Sequence, residues 1–314
     1  MKLISHLLAQ NEQHIQRLIQ SRHPILSAAA AHLFQAGGKR IRPTFVLLIS
    51  QAIGTIHQSQ QRLAEITEMI HTASLLHDDV VDEASKRRGI DTVNTRFSNR
   101  IAVLAGDFLF AQSSWYLANL NHLQVVKFIS KLISDLAEGE IRQTSTQFYT
   151  QFELAAYIEK SFYKTASLLA CSGKATCMLA DSVPETMGQS MYLFGQHLGL
   201  AFQIMDDVLD ITGEISQMGK AIGADFITGN LTAPLLFALT QQKGLVTLLE
   251  RECCYTQDAN QVRQFVLATY AIEQAKDLAF EHVQAAIACL ASLTPSEAKD
   301  ALFDLAMNTI SRQR

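Results

Sequence analysis

Two copies of one acidic pattern stand out from an otherwise apolar chain. The first is Asp78-Asp79-Val80-Val81-Asp82 and the second Asp206-Asp207-Val208-Leu209-Asp210. Side chains four apart share a helix face, so Asp78 pairs with Asp82 and Asp206 with Asp210. Like charges at that spacing repel, and buried without a partner they would cost several kcal/mol, to order of magnitude. The flanks Ser74-Leu75-Leu76 and Phe202-Gln203-Ile204-Met205 do not read as a solvated acidic face. A hard divalent cation accounts for the arrangement. Mg²⁺ takes oxygen ligands and binds between a few carboxylates and a substrate phosphate.

The cations suggest what such a metal would hold. Gly37-Gly38-Lys39-Arg40-Ile41-Arg42-Pro43 joins a permissive turn to three basic residues. Arg42 offers a bidentate fork for phosphate, and Lys39 a point charge. Arg87-Arg88-Gly89 follows the first acidic motif and Lys220 follows the second. Any one of these alone is an ordinary solvated charge. Cations beside both acidic motifs describe a pocket for more than one phosphate group.

Helices must position these residues. Leu63, Ile66 and Ile70 step toward the first motif, and Leu193, Leu200 and Ile204 toward the second. Leu123, Val126, Phe128, Leu132 and Leu136 follow the same 3.6-residue period. Residues 101–110 could pass for a strand, but no partner strand or hairpin turn lies near. Joints are expected at Ala36-Gly37-Gly38, Arg88-Gly89 and Gly173, with a longer loop from Gly219 to Gly229. The expectation is one all-α domain over 1–314, a bundle of long helices around a central cavity. Both acidic motifs would lie near one end, as opposed walls.

The chain has 314 residues, 48% of them hydrophobic, ample for a sizeable core. A net charge of −4 gives no case for nucleic-acid binding. Five cysteines without CxxC spacing point to a reducing compartment. Residues 1–20 carry Asn11, Glu12, Gln13 and His14 where a signal peptide would be apolar. No run approaches about 18 uncharged apolar residues, so no transmembrane segment is expected. Cytoplasm or plastid stroma is the expected location, with no evident cleavable targeting sequence.

The residues 37–43, His71 through Asp82, Arg87-Arg88-Gly89, Lys164-Thr165 and Phe202 through Asp210 resemble the trans-type polyprenyl diphosphate synthases, in order and spacing, over nearly the whole chain. One such acidic motif is shared with terpene cyclases; two, with the Gly-Gly-Lys-Arg-Ile-Arg-Pro and Lys-Thr elements, are far more specific. The resemblance implies Mg²⁺, two or three ions per site, on Asp78, Asp82 and Asp206, with Asp79, Asp207 and Asp210 in support. It assigns Lys39, Arg42, His71 and Arg88 to isopentenyl diphosphate. It assigns Arg87, Lys164 and Lys220 to the allylic diphosphate, with Thr165 and Gln203 facing its reacting carbon. One position departs: Gly229-Asn230-Leu231-Thr232-Ala233-Pro234 carries Asn230 where the family usually has lysine.

The implied reaction is ionisation of the allylic diphosphate, attack by the isopentenyl double bond, and proton loss. Product length would depend on what blocks the growing tail. Ala73 and Ser74, five and four residues before Asp78, are small. Short-chain members plug this level with bulky side chains, so a long, solanesyl-type product for quinone side chains is expected. A tail of eight to ten units spans on the order of 45–55 Å, against a radius of gyration of roughly 20 Å. Phe128 and Leu132 are candidates for the floor, and Ile66 and Ile70 for the lining. Geranylgeranyl diphosphate synthesis is the nearest enzymatic alternative. A terpene cyclase leaves Lys39, Arg42 and Arg88 unexplained, and a non-catalytic partner subunit would not need both acidic motifs. A homodimer is the default assembly, with peripheral membrane contact for product release.

Overall fold

Helix makes up nearly all the regular structure, as the spacing of apolar residues requires. The computed structural model describes residues 2–35, 37–145, 153–213, 229–242, 244–250 and 256–311. In chain order the helices are α1 (Ser5–Leu18), α2 (Pro24–Gln35), α3 (Ile41–Ile53), α4 (Gln58–Val81), α5 (Val93–Arg96), α6 (Asn99–Ala118) and α7 (Leu123–Ser145). Then come α8 (Leu154–Ser161), α9 (Ser167–Met178), α10 (Glu185–Thr212), α11 (Ala233–Gln241), α12 (Gly244–Glu250), α13 (Thr256–Leu267), α14 (Ala271–Cys289) and α15 (Glu297–Ile310). A π-helical turn, Phe162–Ala166, joins α8 to α9 without a break. Residues 101–110 are helical, within α6.

The expected joint at Arg88-Gly89 is a small antiparallel hairpin, β1 (Lys86–Arg87) with β2 (Ile90–Asp91), in the register Arg87 to Ile90. The loop expected from Gly219 to Gly229 lies outside the described residues except for Gly229.

The chain groups into two compact units interleaved in sequence: 1–133 with 171–192 and 291–302, and 134–170 with 193–290 and 303–314. In the first, α4 packs on α6 and α3. Ile15, Phe34, Met69, Ala73, Leu76, Ala105 and Leu109 form one of its apolar clusters. Gly106 permits the close approach of α6, since a Cβ there would fall 2.2 Å from His77 Nε2. Among the described residues α6 is the one helix long and apolar enough to cross a membrane by length and composition. It carries Asp107, and its Ala102, Ala105, Leu109 and Leu117 are buried in this core. In the second unit α11 packs on α14. Its core gathers Ile204, Val208, Leu235, Leu249, Val262 and Ala275.

Candidate functional site

Each acidic motif occupies the last turn or so of a long helix, α4 and α10. Carboxylates are disfavoured at that end by the helix dipole, by about 0.3–1 kcal/mol. Their concentration there marks a place where bound positive charge would relieve the sequence of a local penalty.

In the first unit Asp78 is half-buried, Asp82 exposed and Asp79 buried. Arg87 Nε donates to Asp79 Oδ1 at 2.7 Å, across less than one hairpin. Residues 83–94 fix that hairpin to the end of α4. Glu83 turns the chain with φ 50. Thr92 Oγ1 donates to Ala84 O at 2.7 Å. Asn94 Nδ2 donates to Asp79 O at 3.2 Å and Ala84 O at 3.1 Å. Arg88 and Gly89, with φ 52 and 81, are the paired left-handed residues of a two-residue hairpin turn. That turn carries the Arg88 guanidinium to the carbonyl of Gly37, to which it donates. A Cβ on Gly38 would stand 2.6 Å from Arg88 Nη1, so the second glycine makes room for this arginine.

His71 is surrounded by the same positive charge. Burial, then Arg42, Arg88, Arg87 and Arg40, hold its imidazolium form well below the ordinary histidine range. The ring is therefore neutral near pH 7, beside arginines that favour an anion. Lys39 is exposed and Arg42 half-buried. Arg40, from the same motif, is instead pinned by Glu12, Glu68 and Phe34 O, each at 2.9 Å, and starts α3 with φ 47.

Ala73 is fully buried within the cluster containing Met69, Leu76 and Leu109. Ser74 is half-buried and donates to His71 O at 2.9 Å. Ile66, Ile70 and Leu132 are buried. Phe128 lies in an open groove with Lys127, Lys131 and Lys174, its ring under the Lys174 ammonium. With Gln124, Met178 and Glu185 also lining it, this is a mixed surface groove holding a half-buried Phe128, not the buried apolar floor expected of it.

In the second unit, Lys164 and Thr165 stand on the π turn, a feature that recurs at functional sites. α10 approaches this turn closely because Gly199 is small: a Cβ would fall 2.4 Å from Ala166 Cα. Gln203, one turn further along α10, thereby meets Thr165, whose Oγ1 donates to Gln203 Oε1 at 2.6 Å. Gln203 Nε2 donates to Asp207 Oδ1 at 2.8 Å. Tyr157 OH donates to Asp207 Oδ2 at 2.6 Å. An ionised carboxylate only accepts, so Asp207 fixes which end of the Gln203 amide faces Thr165. The chain of bonds polarises the amide oxygen toward greater negative charge. Asp206 and Asp210 are half-buried, and Lys164 Nζ is 3.5 Å from Glu140 Oε1. Lys220 lies outside the described residues.

Asp79 and Asp207 thus hold neighbouring side chains, while Asp78, Asp206 and Asp210 are half-buried and Asp82 is exposed. Their chemistry fits a hard divalent cation. Among the described residues no cluster of three or more His, Cys, Asp or Glu could cage a metal by itself. Paired carboxylates that leave positions for substrate oxygens are the usual Mg²⁺ arrangement. Sequence reasoning missed Tyr157, Lys160 and Asn94. The spacing of Tyr157, Lys160 and Lys164, three and four apart, was the available signal for the first two.

A family profile described as Polyprenyl synthetase matches residues 23–268. The chain is 52% identical over 306 residues to a protein named prenyl transferase from Cyanidium caldarium, covering 96% of this chain and 94% of that one. It is 46% identical over 301 residues to solanesyl diphosphate synthase 1, chloroplastic, of Arabidopsis thaliana, covering 94% and 74%. Among solved structures, a polyprenyl synthase from Caulobacter crescentus CB15 complexed with calcium and isoprenyl diphosphate superimposes with a TM-score of 0.94 at 32% identity, covering 100% of this chain and 97% of that one.

Proposed function

The chain belongs to the polyprenyl synthetase family and is a trans-polyprenyl diphosphate synthase, and we propose on that footing that it makes a long-chain product of solanesyl type with Mg²⁺ as its metal. Asp78, Asp82 and Asp206 are assigned to the metal, two or three ions per site, with Asp210 in support. When bound, the metal would supply Lewis-acid neutralisation of the departing diphosphate. Lys39, Arg42, Arg88 and neutral His71 would bind isopentenyl diphosphate through charge-assisted bonds. Arg87, Lys164 and Lys220 would bind the allylic diphosphate. The polarised oxygen of Gln203 and the Thr165 hydroxyl would stabilise the allylic cation, as fixed dipoles too weakly nucleophilic to trap it.

The observation that carries the chain-length assignment is the small pair Ala73 and Ser74, one turn before Asp78. The relative named solanesyl diphosphate synthase supports it. The test is a product assay with isopentenyl diphosphate, Mg²⁺ and a farnesyl or geranylgeranyl primer. A ladder ending at long polyprenols is expected. Termination at geranylgeraniol would overturn the long-chain assignment, and no elongation with any primer would favour a partner subunit. Chelation should abolish turnover, and Mg²⁺ should restore it.

The same reading includes a homodimer seated on α6. Leu104 and Trp115 are exposed on that helix, with Phe108 half-buried between them on the same face. It also includes product release at a membrane surface, favoured by the apolar tail. A reducing compartment, cytoplasm or stroma, suits the free thiols Cys171, Cys177 and Cys289.

A further inference from the structure

The Gly-Gly-Lys-Arg-Ile-Arg-Pro motif holds three cations, and the substrate assignments use only Lys39 and Arg42. Arg40 is the third. Its side chain is 13% exposed and reaches acceptors on three different helices. Nε donates to Glu12 Oε1 on α1, Nη1 to Glu68 Oε1 on α4, and Nη2 to the carbonyl of Phe34 on α2, each at 2.9 Å. Glu68 is itself buried, three residues before His71 on α4.

These bonds act on the backbone as well as on the charge. Arg40 has φ 47, a left-handed conformation that a residue with a β-carbon keeps only where its surroundings enforce it. Gly37 and Gly38, with φ 72 and 154, precede it. The turn between α2 and α3 ends at Arg40, whose carbonyl accepts the first bond of α3, from Thr44 N at 3.1 Å. Arg88 grips the other end of the turn by donating to Gly37 O. Lys39 stands one residue before the left-handed position and Arg42 two after it. The direction in which each leaves the backbone therefore depends on the conformation held at 40.

α1 brings Glu12 to this point and is docked independently of it. Asn11 and Ile15 are buried, and His14 Nδ1 meets Glu65 Oε1 of α4 at 2.9 Å. The Glu12 side chain is 51% exposed, so the N-terminal helix keeps its seat without that carboxylate.

We propose that Arg40 is a positioning residue for isopentenyl diphosphate: bridged from α4 to the N-terminal helix, it locks the 37–40 turn in the form that presents Lys39 and Arg42 to the diphosphate. That role rests on the assignment of Lys39 and Arg42 made above. Glu12 and Glu68 give it a distinctive sign. They are negative charges near an anion site, so by charge alone removing one should tighten isopentenyl diphosphate binding. Acting through Arg40, removal should weaken it.

The test is steady-state kinetics on the full chain with Mg²⁺, varying isopentenyl diphosphate and the allylic primer separately, alongside thermal melts. Glu12→Ala should raise KM for isopentenyl diphosphate about threefold, the worth of one partly exposed ion pair. KM for the allylic primer and the melting temperature should stay near the parent. Arg40→Lys keeps the charge, but one ammonium cannot reproduce a planar fork onto three acceptors, so KM for isopentenyl diphosphate should rise about tenfold with the allylic KM little changed. Arg42→Gln is the reference for the site itself and should raise the same constant about tenfold or more. The positioning role is overturned if Glu12→Ala lowers that constant, or leaves it unchanged while Arg42→Gln raises it. It is equally overturned if Arg40→Lys moves KM for both substrates alike, as a general loosening of the fold would. Should Arg40→Lys fail to fold, Glu12→Ala, at an exposed position, decides the matter by itself. An unchanged constant in Arg42→Gln would overturn the assignment of the site, and the positioning role with it.

Discussion

Within each acidic motif the aspartates divide by what they touch. Asp207 receives both Tyr157 and Gln203, and Asp79 receives Arg87, while Asp78 and Asp206 are more open. Asp206→Asn should therefore raise the Mg²⁺ concentration needed for half-maximal turnover, with little change in melting temperature. Asp207→Asn should do the reverse. It weakens bonds to a charged acceptor, each worth about 1.5–3 kcal/mol, and frees the Gln203 amide to rotate. Its melting temperature and kcat should fall while the metal requirement moves little, and Tyr157→Phe should reproduce part of that. Metal titrations of activity beside thermal melts check both; equal metal shifts in the two variants would remove the distinction. The aspartates were legible in the sequence because charge inside apolar helix has no bland explanation. Tyr157 and Lys160 show in the sequence only as helical spacing with Lys164, because their partners are fifty and seventy residues away and come from folding.

Elements set the geometry of these side chains, and two of them carried almost no sequence signal. The hairpin at 86–91 has strands of two residues, too short for any alternation to register. The π turn at Phe162–Ala166 shifts the helical register by one residue inside an otherwise regular pattern. The helices themselves were legible, since α4 and α10 keep their apolar period over many turns. Gly38→Ala tests the hairpin's role. Its Cβ would intrude on the Arg88 guanidinium, and φ 154 is a conformation that alanine adopts with strain. KM for isopentenyl diphosphate should rise about tenfold, and KM for the allylic primer should stay near the parent. On α4, Ser74→Phe should shorten the product, read as a ladder that stops early. Ala73→Phe is a poorer probe. Ala73 has no exposed surface in its packed cluster, and overpacking there costs about 1–3 kcal/mol before any effect on the tail.

At the scale of the molecule, the all-α class followed from periodicity, but the grouping of helices into two units did not. That depends on which faces meet, and the two units interleave along the chain. Three histidines couple the folded state to pH. Burial and four arginines hold His71 well below its ordinary value. His197 and His282 share a contact of 2.9 Å between their Nδ1 atoms. Burial lowers both, and His197 pushes His282 down further, to about 4. The unfolded chain takes up these protons near pH 6.5, whereas the folded chain refuses them until well below it. The unfolded state then binds more protons, so stability falls as pH drops below about 6.5 and is insensitive to these groups above it. Melting temperature should decline between pH 6.5 and 5. His282→Asn, which cannot be protonated, should flatten that decline. Inorganic diphosphate separates the contributions. An anion beside the arginines would raise His71 toward its ordinary value and cancel its share, but would leave the share of the His197–His282 pair intact. Melts of the parent and His282→Asn, with and without diphosphate, should therefore give four slopes, shallowest with both the substitution and the ligand. A slope unmoved by either would show that other groups govern the acid limb.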